Sequence, residues 1–239
     1  MRVLLIHGSV GNADTWAPVR PTLERRFEVL AANRSGYPPG PLLARIDFER
    51  QAEELAPLLG DGAHLVGHSY GGVIALLIAA AHPERVRSLA VSEPPAFGLA
   101  RGNPEVDDLV ARLADHFEHG PRDPSAFAEG FLALVGSEAR LPERLPPELE
   151  QGIRATMAER PPWEAEIPLD DLAAAPFSKL VVSGAHNRAF DAVCDVLEER
   201  LGAERAVLPG AGHGVQRLGA PFNEVLAGFL DRAEARPGR

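Results

Sequence analysis

The chain has 239 residues, 45% of them hydrophobic, and a formal net charge of −10 from 24 basic and 34 acidic side chains. A chain of this length can bury a substantial core and is compatible with one domain plus a modest insertion. The acidic balance argues against nucleic acid or an anionic membrane surface as the main partner, and it leaves a small-molecule substrate open. The single cysteine, Cys194, excludes an intrachain disulfide and fits a reducing cytoplasm.

Apolar runs in this sequence are too short for a membrane span, which needs roughly 18 to 20 continuous apolar residues. The longest candidate is residues 73–81. The run at residues 3–6 ends at once in His-Gly and lacks the longer apolar stretch and cleavage site of a secretory signal. We therefore expect a soluble, cytoplasmic protein with no membrane partner. The sequence does not indicate an oligomeric state.

Short apolar runs alternate with segments of helical periodicity along most of the chain. Continuous apolar runs that end in glycine or turn residues predict strands buried on both faces. Strands that alternate with helices imply an α/β fold with a mostly parallel central sheet and helices on both faces. The predicted strands are 3–6, 27–32, 64–67, 86–91, 180–183 and 205–208, and the predicted helices around them are 46–59, 72–82, 190–201 and 222–235. The last four residues, 236–239, are expected to be frayed.

The stretch from about Pro94 to Pro176 has a different character. Prolines punctuate it and it contains no convincing strand, while helix-like segments occur at 106–119, 125–135 and 147–159. Asp123 or Ser125 could cap the second of these helices. We predict a helical cap, residues 96–176, inserted after the fourth strand into a core formed by residues 1–95 and 177–239.

Residues 67–71, Gly-His-Ser-Tyr-Gly, match the G-x-S-x-G nucleophile elbow. A predicted strand leads into the motif and a predicted helix leaves it, which is the context that this motif requires. Small residues on either side let the backbones cross while the hydroxyl of Ser69 projects from the edge of the sheet. The N-terminus of the following helix adds positive partial charge where an oxyanion would develop. The motif therefore predicts Ser69 as a nucleophile.

With this motif the sequence resembles the α/β-hydrolase superfamily, in particular its lid-bearing, esterase-like members. The resemblance covers nearly the whole chain: His-Gly at 7–8 after the first strand, Asn-Arg-Ser-Gly-Tyr at 33–37 after the second, the elbow, and Gly-Ala-Gly-His at 210–213 after the last. The insertion falls where that family carries its cap. The resemblance implies that His213 is the general base, a role that suits an imidazole with an ordinary pKa near 6.5.

The resemblance also implies an oxyanion hole made of two backbone N–H groups. One belongs to Tyr70, the residue after the nucleophile, and the second to Ser9 in the loop after the first strand, with Val10 as the alternative. The hydroxyl of Ser9 could add a third donor.

The resemblance further implies an acidic residue that completes a catalytic triad with Ser69 and His213. At this residue the sequence departs from the family pattern. The family has Gly-x-x-Asp after the strand at 180–183, whereas residues 184–187 read Gly-Ala-His-Asn. An amide can orient an imidazole, but it does not stabilise the imidazolium by charge; in a serine protease that replacement costs about 10⁴ in kcat. Three possibilities stay open. Glu93 follows the fourth strand, where some family members carry their acid. Asp191 lies one helical turn after Asn187 and is equally explained by the helix dipole. In the third possibility, Asn187 itself serves or the site has no acid.

Aromatic residues of the predicted cap suggest an apolar pocket for the substrate, with Phe97, Phe131 and Trp163 as candidates. The residues together predict a serine hydrolase that cleaves a small or medium, mostly apolar ester, lactone or thioester through an acyl-enzyme on Ser69. No cofactor is expected. No metal site is expected either, because candidate ligands are dispersed and neither His-x-x-His nor Cys-x-x-Cys spacing occurs.

Two other kinds of function remain open at this stage, since a fold does not fix a reaction. One is a non-hydrolytic enzyme on the same scaffold, such as a lyase, a perhydrolase or a cofactor-free oxygenase. The other is a ligand-binding, receptor-like protein with a slow site. Rapid turnover of simple esters favours the hydrolase, and labelling without turnover favours the receptor.

Overall fold

A six-stranded, fully parallel sheet forms the centre of the protein in the computed structural model, which describes residues 1–235. The prediction made for residues 236–239 lies outside the described residues. Each strand overlaps a predicted one, so the α/β fold class is confirmed. In chain order the strands are β1 (Arg2–Ile6), β2 (Glu28–Ala32), β3 (Ala63–His68), β4 (Val86–Ser92), β5 (Ser178–Ser183) and β6 (Glu204–Val207), and they lie side by side in the order β2-β1-β3-β4-β5-β6.

The inner strands are apolar on both faces because helices cover both sides of the sheet. In β1, Val3 and Leu5 belong to one buried cluster, whereas Leu4 and Ile6 belong to the other. This division follows from the alternation of side chains along a strand. A continuous apolar run is therefore what a parallel sheet requires.

The helices around the sheet are positioned largely as the apolar periodicity predicts, although their ends differ. The predicted helix at 46–59 ends at Leu55 and continues as a 3-10 turn, Ala56–Leu59, because Pro57 lacks the N–H that an α-helix needs. None of the helices in the described residues has the length and apolar composition needed to cross a bilayer. The helices are α1 (Arg20–Leu23), α2 (Phe48–Leu55), α3 (Tyr70–Ala81), α4 (Pro104–His119), α5 (Pro124–Leu134), α6 (Pro147–Met157), α7 (Leu169–Ala174), α8 (Arg188–Leu201) and α9 (Ala220–Ala235). Helices α1 and α9 cover one face of the sheet, and α2, α3 and α8 cover the other.

The segment between β4 and β5 contains helices α4 to α7 and no strand, and all of its residues are described. Asp123 is the residue that caps α5, since its carboxylate accepts a hydrogen bond from the N–H of Ala126 at 3.0 Å. Ser125, the other candidate, lies inside the first turn. Helix α6 ends at Met157, two residues before the predicted end.

The topology brings the predicted site residues to one edge of the sheet. Strand β1 has β2 on one side and β3 on the other, so the winding of the chain reverses between β1 and β3. The carboxyl ends of parallel strands at such a reversal form a crevice that commonly binds ligands. Ser9 follows β1 and Ser69 follows β3, and both therefore lie at this crevice.

Candidate active site

The sharp turn between β3 and α3 carries Ser69 in a strained backbone conformation, with φ 53° and ψ −126°. The turn is possible because its glycines have no side chain. A Cβ on Gly67 would overlap the carbonyl oxygen of Gly71, and a Cβ on Gly71 would overlap that of Ile6. The two glycines thus let β3, α3 and β1 approach closely, and the hydroxyl of Ser69 is held at the crevice.

The imidazole of His213 lies directly against this hydroxyl. His213 occupies the loop between β6 and α9, and its Nε2 is 2.9 Å from Oγ of Ser69. The ring packs on Phe190, with 4.7 Å between the ring centroids, and the backbone carbonyl of His213 is 2.8 Å from Nε2 of His68. Burial, together with the nearby His186, lowers the pKa of His213 to about 3. The imidazole is therefore neutral at neutral pH and can accept the proton of Ser69.

Glu93 is the candidate acid that reaches the other nitrogen of this imidazole. Its Oε2 lies 3.3 Å from Nδ1 of His213, and its Oε1 accepts a hydrogen bond from the N–H of Gly184 at 2.6 Å. The carboxyl group is fully buried. Burial raises the pKa of Glu93 to about 7, while the neighbouring His186 and the Gly184 N–H oppose this rise.

The other two candidates for the acid make different contacts. The side-chain oxygen of Asn187 accepts a hydrogen bond from the N–H of Ala189 at 2.9 Å and so caps α8. The carboxylate of Asp191 lies 3.4 Å from the guanidinium of Arg205. Neither side chain is brought to His213.

A second imidazole, that of His186, borders the same carboxyl group. Its Nδ1 lies 3.6 Å from Oε2 of Glu93, and its Nε2 is 3.0 Å from the carbonyl oxygen of Val135 at the end of α5. One ligand atom each of Glu93, His186 and His213 lies within 4.8 Å of the other two, a grouping that could hold a cation. The sequence did not indicate a metal site here, because the loops after β4, β5 and β6 contribute one residue each. A cation there would compete with the contact between His213 and Glu93.

Backbone strain is concentrated at this site. Among the described residues other than glycine, positive φ angles occur at Val10 (69°), Ser69 (53°), Glu93 (50°) and Ala185 (51°). Such conformations cost roughly 1–3 kcal/mol each and persist where the surrounding structure holds them. All four residues lie in the loops that follow β1, β3, β4 and β5, so the strain indicates that these loops are shaped for a function.

One predicted oxyanion donor, Ser9, lies in the loop after β1, and the other, Tyr70, is the first residue of α3. A Cβ on Gly8 would come within 2.8 Å of the Cβ of Ser69, so the loop after β1 touches the nucleophile. Within the described residues, the backbone N–H groups of Ser9 and Tyr70 have no hydrogen-bond acceptor. The N–H of Tyr70 also lies at the N-terminus of α3, where the helix dipole favours negative charge.

Helix α6 braces the loop that contains Ser9. The N–H of Val10, the alternative donor, is donated to Oγ1 of Thr156 at 2.8 Å, so it is engaged elsewhere. The hydroxyl of Ser9 donates to Oε2 of Glu159 at 2.6 Å and is not a third donor towards Ser69. The sequence did not reveal this brace, because nothing in it connects residues 9–10 with residues 156–159.

The carboxylate of Glu159 is the centre of a buried polar network. Its Oε1 accepts hydrogen bonds from Nη2 of Arg34 at 2.5 Å and from the hydroxyl of Tyr37 at 2.7 Å. The guanidinium of Arg34 lies over the rings of Tyr37 and Tyr70 and also donates to Oε1 of Gln51. The resemblance at residues 33–37 pointed to this region, but the partner carboxylate could not be inferred from it.

Two cavities meet at Ser69. The larger has a volume of about 180 Å³, and Ser9, Ser69 and His213 lie in its wall. The smaller has a volume of about 20 Å³ and is mainly apolar. All three predicted pocket residues line the smaller cavity, and one of them, Phe131, also lines the larger; they are Phe97, Phe131 and Trp163.

Comparison with known proteins identifies an esterase and a dehalogenase among the relatives of this chain. The pimeloyl-[acyl-carrier protein] methyl ester esterase of Aeromonas hydrophila is 32% identical over 162 aligned positions, which cover 66% of this chain and 61% of that protein. The fluoroacetate dehalogenase of a Burkholderia species is 35% identical over 168 aligned positions, covering 60% of this chain and 54% of that protein. The matched part thus spans less than two thirds of either relative.

A solved structure shows the shared fold, and a sequence profile shows the family. A thermophilic esterase from Thermogutta terrifontis superposes with a TM-score of 0.69 at 21% identity, over 98% of this chain and 90% of that chain, which shows a shared fold. The sequence profile of the alpha/beta hydrolase family matches residues 3–226. The chain belongs to the alpha/beta hydrolase family.

Proposed function

We propose that this protein is a serine hydrolase that cleaves carboxylic esters through an acyl-enzyme on Ser69. The observation that carries the proposal is the 2.9 Å contact between Oγ of Ser69 and Nε2 of His213, on a strained turn at the wall of a cavity. A nucleophile and a base within hydrogen-bond reach are the arrangement that activates a hydroxyl.

The reaction proceeds in two acyl-transfer steps. His213 takes the proton of Ser69 as Oγ bonds to the carbonyl carbon, and the carbonyl oxygen becomes an oxyanion held by the N–H groups of Ser9 and Tyr70. When the tetrahedral intermediate collapses, the bond to the leaving alkoxide breaks and His213 gives its proton to that oxygen. Water then repeats the sequence on the acyl-enzyme, and the acid product leaves with Ser69 restored.

Glu93 is the acid of this triad. Its carboxylate accepts a hydrogen bond from Nδ1–H of His213, which directs Nε2 towards Ser69 and stabilises the imidazolium that forms during each step. Only the ionised carboxylate stabilises that charge. Because burial raises the pKa of Glu93 to about 7, the ionisation of this group limits activity on the acidic side.

A small or medium, mostly apolar ester is the substrate class that the cavities support. The smaller cavity is walled by aromatic side chains of the segment 96–176, which acts as a cap on the core of residues 1–95 and 177–239. An ester is also favoured over an alkyl halide by the chemistry of Ser69. Displacement at an sp³ carbon by a hydroxyl leaves an ether, which water does not cleave, whereas acylation leaves an ester that it does.

Hydrolysis of a p-nitrophenyl ester series tests the proposal. We expect multiple turnovers in the wild type and a loss of roughly 10⁴-fold or more in kcat for Ser69→Ala. Ser125→Ala removes another hydroxyl, in the first turn of α5 and outside the lining of both cavities, and is the matched control, with near wild-type turnover expected. Equal activity of Ser69→Ala and wild type would contradict the proposal, and a single burst without turnover would favour a receptor-like protein instead.

A further inference from the structure

The larger cavity has an unusual charge composition for this protein. Two arginines, Arg140 and Arg217, line it together with Ser69 and His213, and its lining contains no aspartate or glutamate. The chain as a whole has ten more acidic than basic side chains. The wall of this cavity is therefore positively charged, whereas the chain as a whole has a net negative charge.

The two arginines come from different parts of the chain. Arg217 belongs to the short 3-10 helix Val215–Leu218 after the loop of His213, and its Cδ lies 3.3 Å from the position that a Cβ on Gly214 would occupy. Arg140 belongs to the segment that connects α5 with α6. One arginine thus comes from the core and the other from the cap, and both line the same cavity.

Neither guanidinium forms a salt bridge with a carboxylate of residues 1–235. Other arginines of the cap do so: Arg112 pairs with Asp108, and Arg154 pairs with Glu150. Asp14 and Glu148 border an adjacent groove that Arg217 also lines, but they lie beyond salt-bridge distance from it. The two cations are therefore available to a ligand that enters the cavity.

A large part of the wall of the cavity is apolar. Phe131, Val135, Leu141 and Leu149 contribute to it. A ligand that satisfies both parts of the wall has an apolar spacer next to the scissile ester and a negative charge at its far end. Arginine guanidinium groups bind carboxylates well because they offer paired N–H donors.

We propose that the larger cavity binds the half of the ester that ends in a carboxylate, with Arg140 and Arg217 as the residues that determine this specificity. The inference rests on the proposed hydrolase function and specifies its substrate class as esters with an apolar spacer and a terminal carboxylate. Both arginines are solvent-exposed, so each contributes modestly, and the pair together gives roughly a tenfold preference.

Two matched pairs of esters test this specificity and show which half of the ester enters the cavity. The 4-nitrophenyl esters of pentanoic acid and of glutaric acid differ by a carboxylate on the acyl side. Phenyl acetate and 4-acetoxybenzoate differ by a carboxylate on the leaving group. We expect the wild type to prefer the anionic member of one pair by roughly tenfold in kcat/KM, and 0.5 M NaCl to weaken that preference because salt screens exposed charges.

Substitutions assign the preference to the two arginines. The anionic-to-neutral ratio of kcat/KM is expected to fall roughly threefold in Arg140→Gln and in Arg217→Gln, and to approach one in the double variant. Arg144→Gln makes the same charge change in the same segment at an exposed position outside the cavity, and it is expected to keep the wild-type ratio.

Two results would overturn the inference. One is a wild type that hydrolyses both members of each pair equally, and the other is a preference that persists in the double variant. Turnover of the neutral pentanoate that depends on Ser69 reports separately on the proposed function. An active hydrolase that is indifferent to the carboxylate therefore rejects the specificity alone, whereas the absence of any turnover that depends on Ser69 rejects both.

Discussion

The buried ion pair between Arg34 and Glu159 gives a prediction that combines stability with activity. Both side chains are almost completely excluded from solvent, with exposed fractions of 0% and 3%. Glu159→Gln removes the negative charge and keeps one oxygen as an acceptor. The Arg34 guanidinium is then left buried without its counter-ion.

Removing one partner of a buried pair destabilises a protein by about 3–5 kcal/mol. Because glutamine keeps an acceptor, we expect the lower end, about 3 kcal/mol. For a chain of this size each kcal/mol shifts Tm by roughly 2–4 °C, so Tm should fall by about 6–12 °C. The hydroxyl of Ser9 also loses its charged acceptor, and we expect kcat to fall roughly tenfold as the oxyanion loop loosens.

Thermal and urea unfolding of the purified variants measure this effect, and Glu164→Gln is the matched control. Glu164→Gln makes the same chemical change at a nearby position. The side chain of Glu164 is half exposed and pairs with Arg160 at the surface, where such an ion pair contributes at most about 1 kcal/mol to stability. The double variant Arg34→Met/Glu159→Gln should be more stable than the sum of the single losses predicts, because neither buried charge remains. A Tm for Glu159→Gln no lower than that of Glu164→Gln would refute the reasoning.

Three further predictions concern the triad and the elbow. In steady-state ester assays, Glu93→Gln should lower kcat by roughly 10³- to 10⁴-fold, whereas Asp191→Asn should lower it by less than about threefold. Equal losses of kcat in the two variants would show that Glu93 is not the acid. In the wild type, kcat/KM should fall as pH decreases through about 7, since protonation of the buried Glu93 removes the charge that stabilises the imidazolium. A pH profile of kcat/KM that stays flat down to pH 5 would argue against this role of Glu93. Gly71→Ala should lower Tm and turnover together, because its Cβ would overlap the backbone oxygen of Ile6. Gly228→Ala in α9 is the control, since the added Cβ would meet only the flexible end of the Arg232 side chain, at 3.3 Å. A Tm for Gly71→Ala equal to that of Gly228→Ala would count against the packing argument.

The central sheet and the nucleophile turn could be predicted from the sequence because their determinants are local. A strand buried on both faces needs an unbroken apolar run, as residues 3–6 show, and the elbow needs small residues next to Ser69. The prediction of helix ends was less accurate, since the position of a helix end depends on single residues. The turn at Ser69 itself begins α3 two residues earlier than the apolar periodicity indicated.

The acid and the brace of the oxyanion loop depend on contacts between residues that are far apart in the sequence. Glu93 and His213 are 120 positions apart, and Arg34 and Glu159 are 125 positions apart. Sequence spacing alone leaves several carboxylates as candidates for His213, and only the arrangement of β4 and β5 in the sheet shows which one reaches it. Asn187 stands where the family has its acid, and here its amide caps α8.

Reaction of the protein with a fluorophosphonate, followed by intact-mass analysis and peptide mapping, tests the central claim most directly. The proposed chemistry predicts one adduct per chain on the peptide that contains Ser69, and no adduct in Ser69→Ala. An adduct that persists in Ser69→Ala, or one that maps to another residue of the wild type, would contradict it.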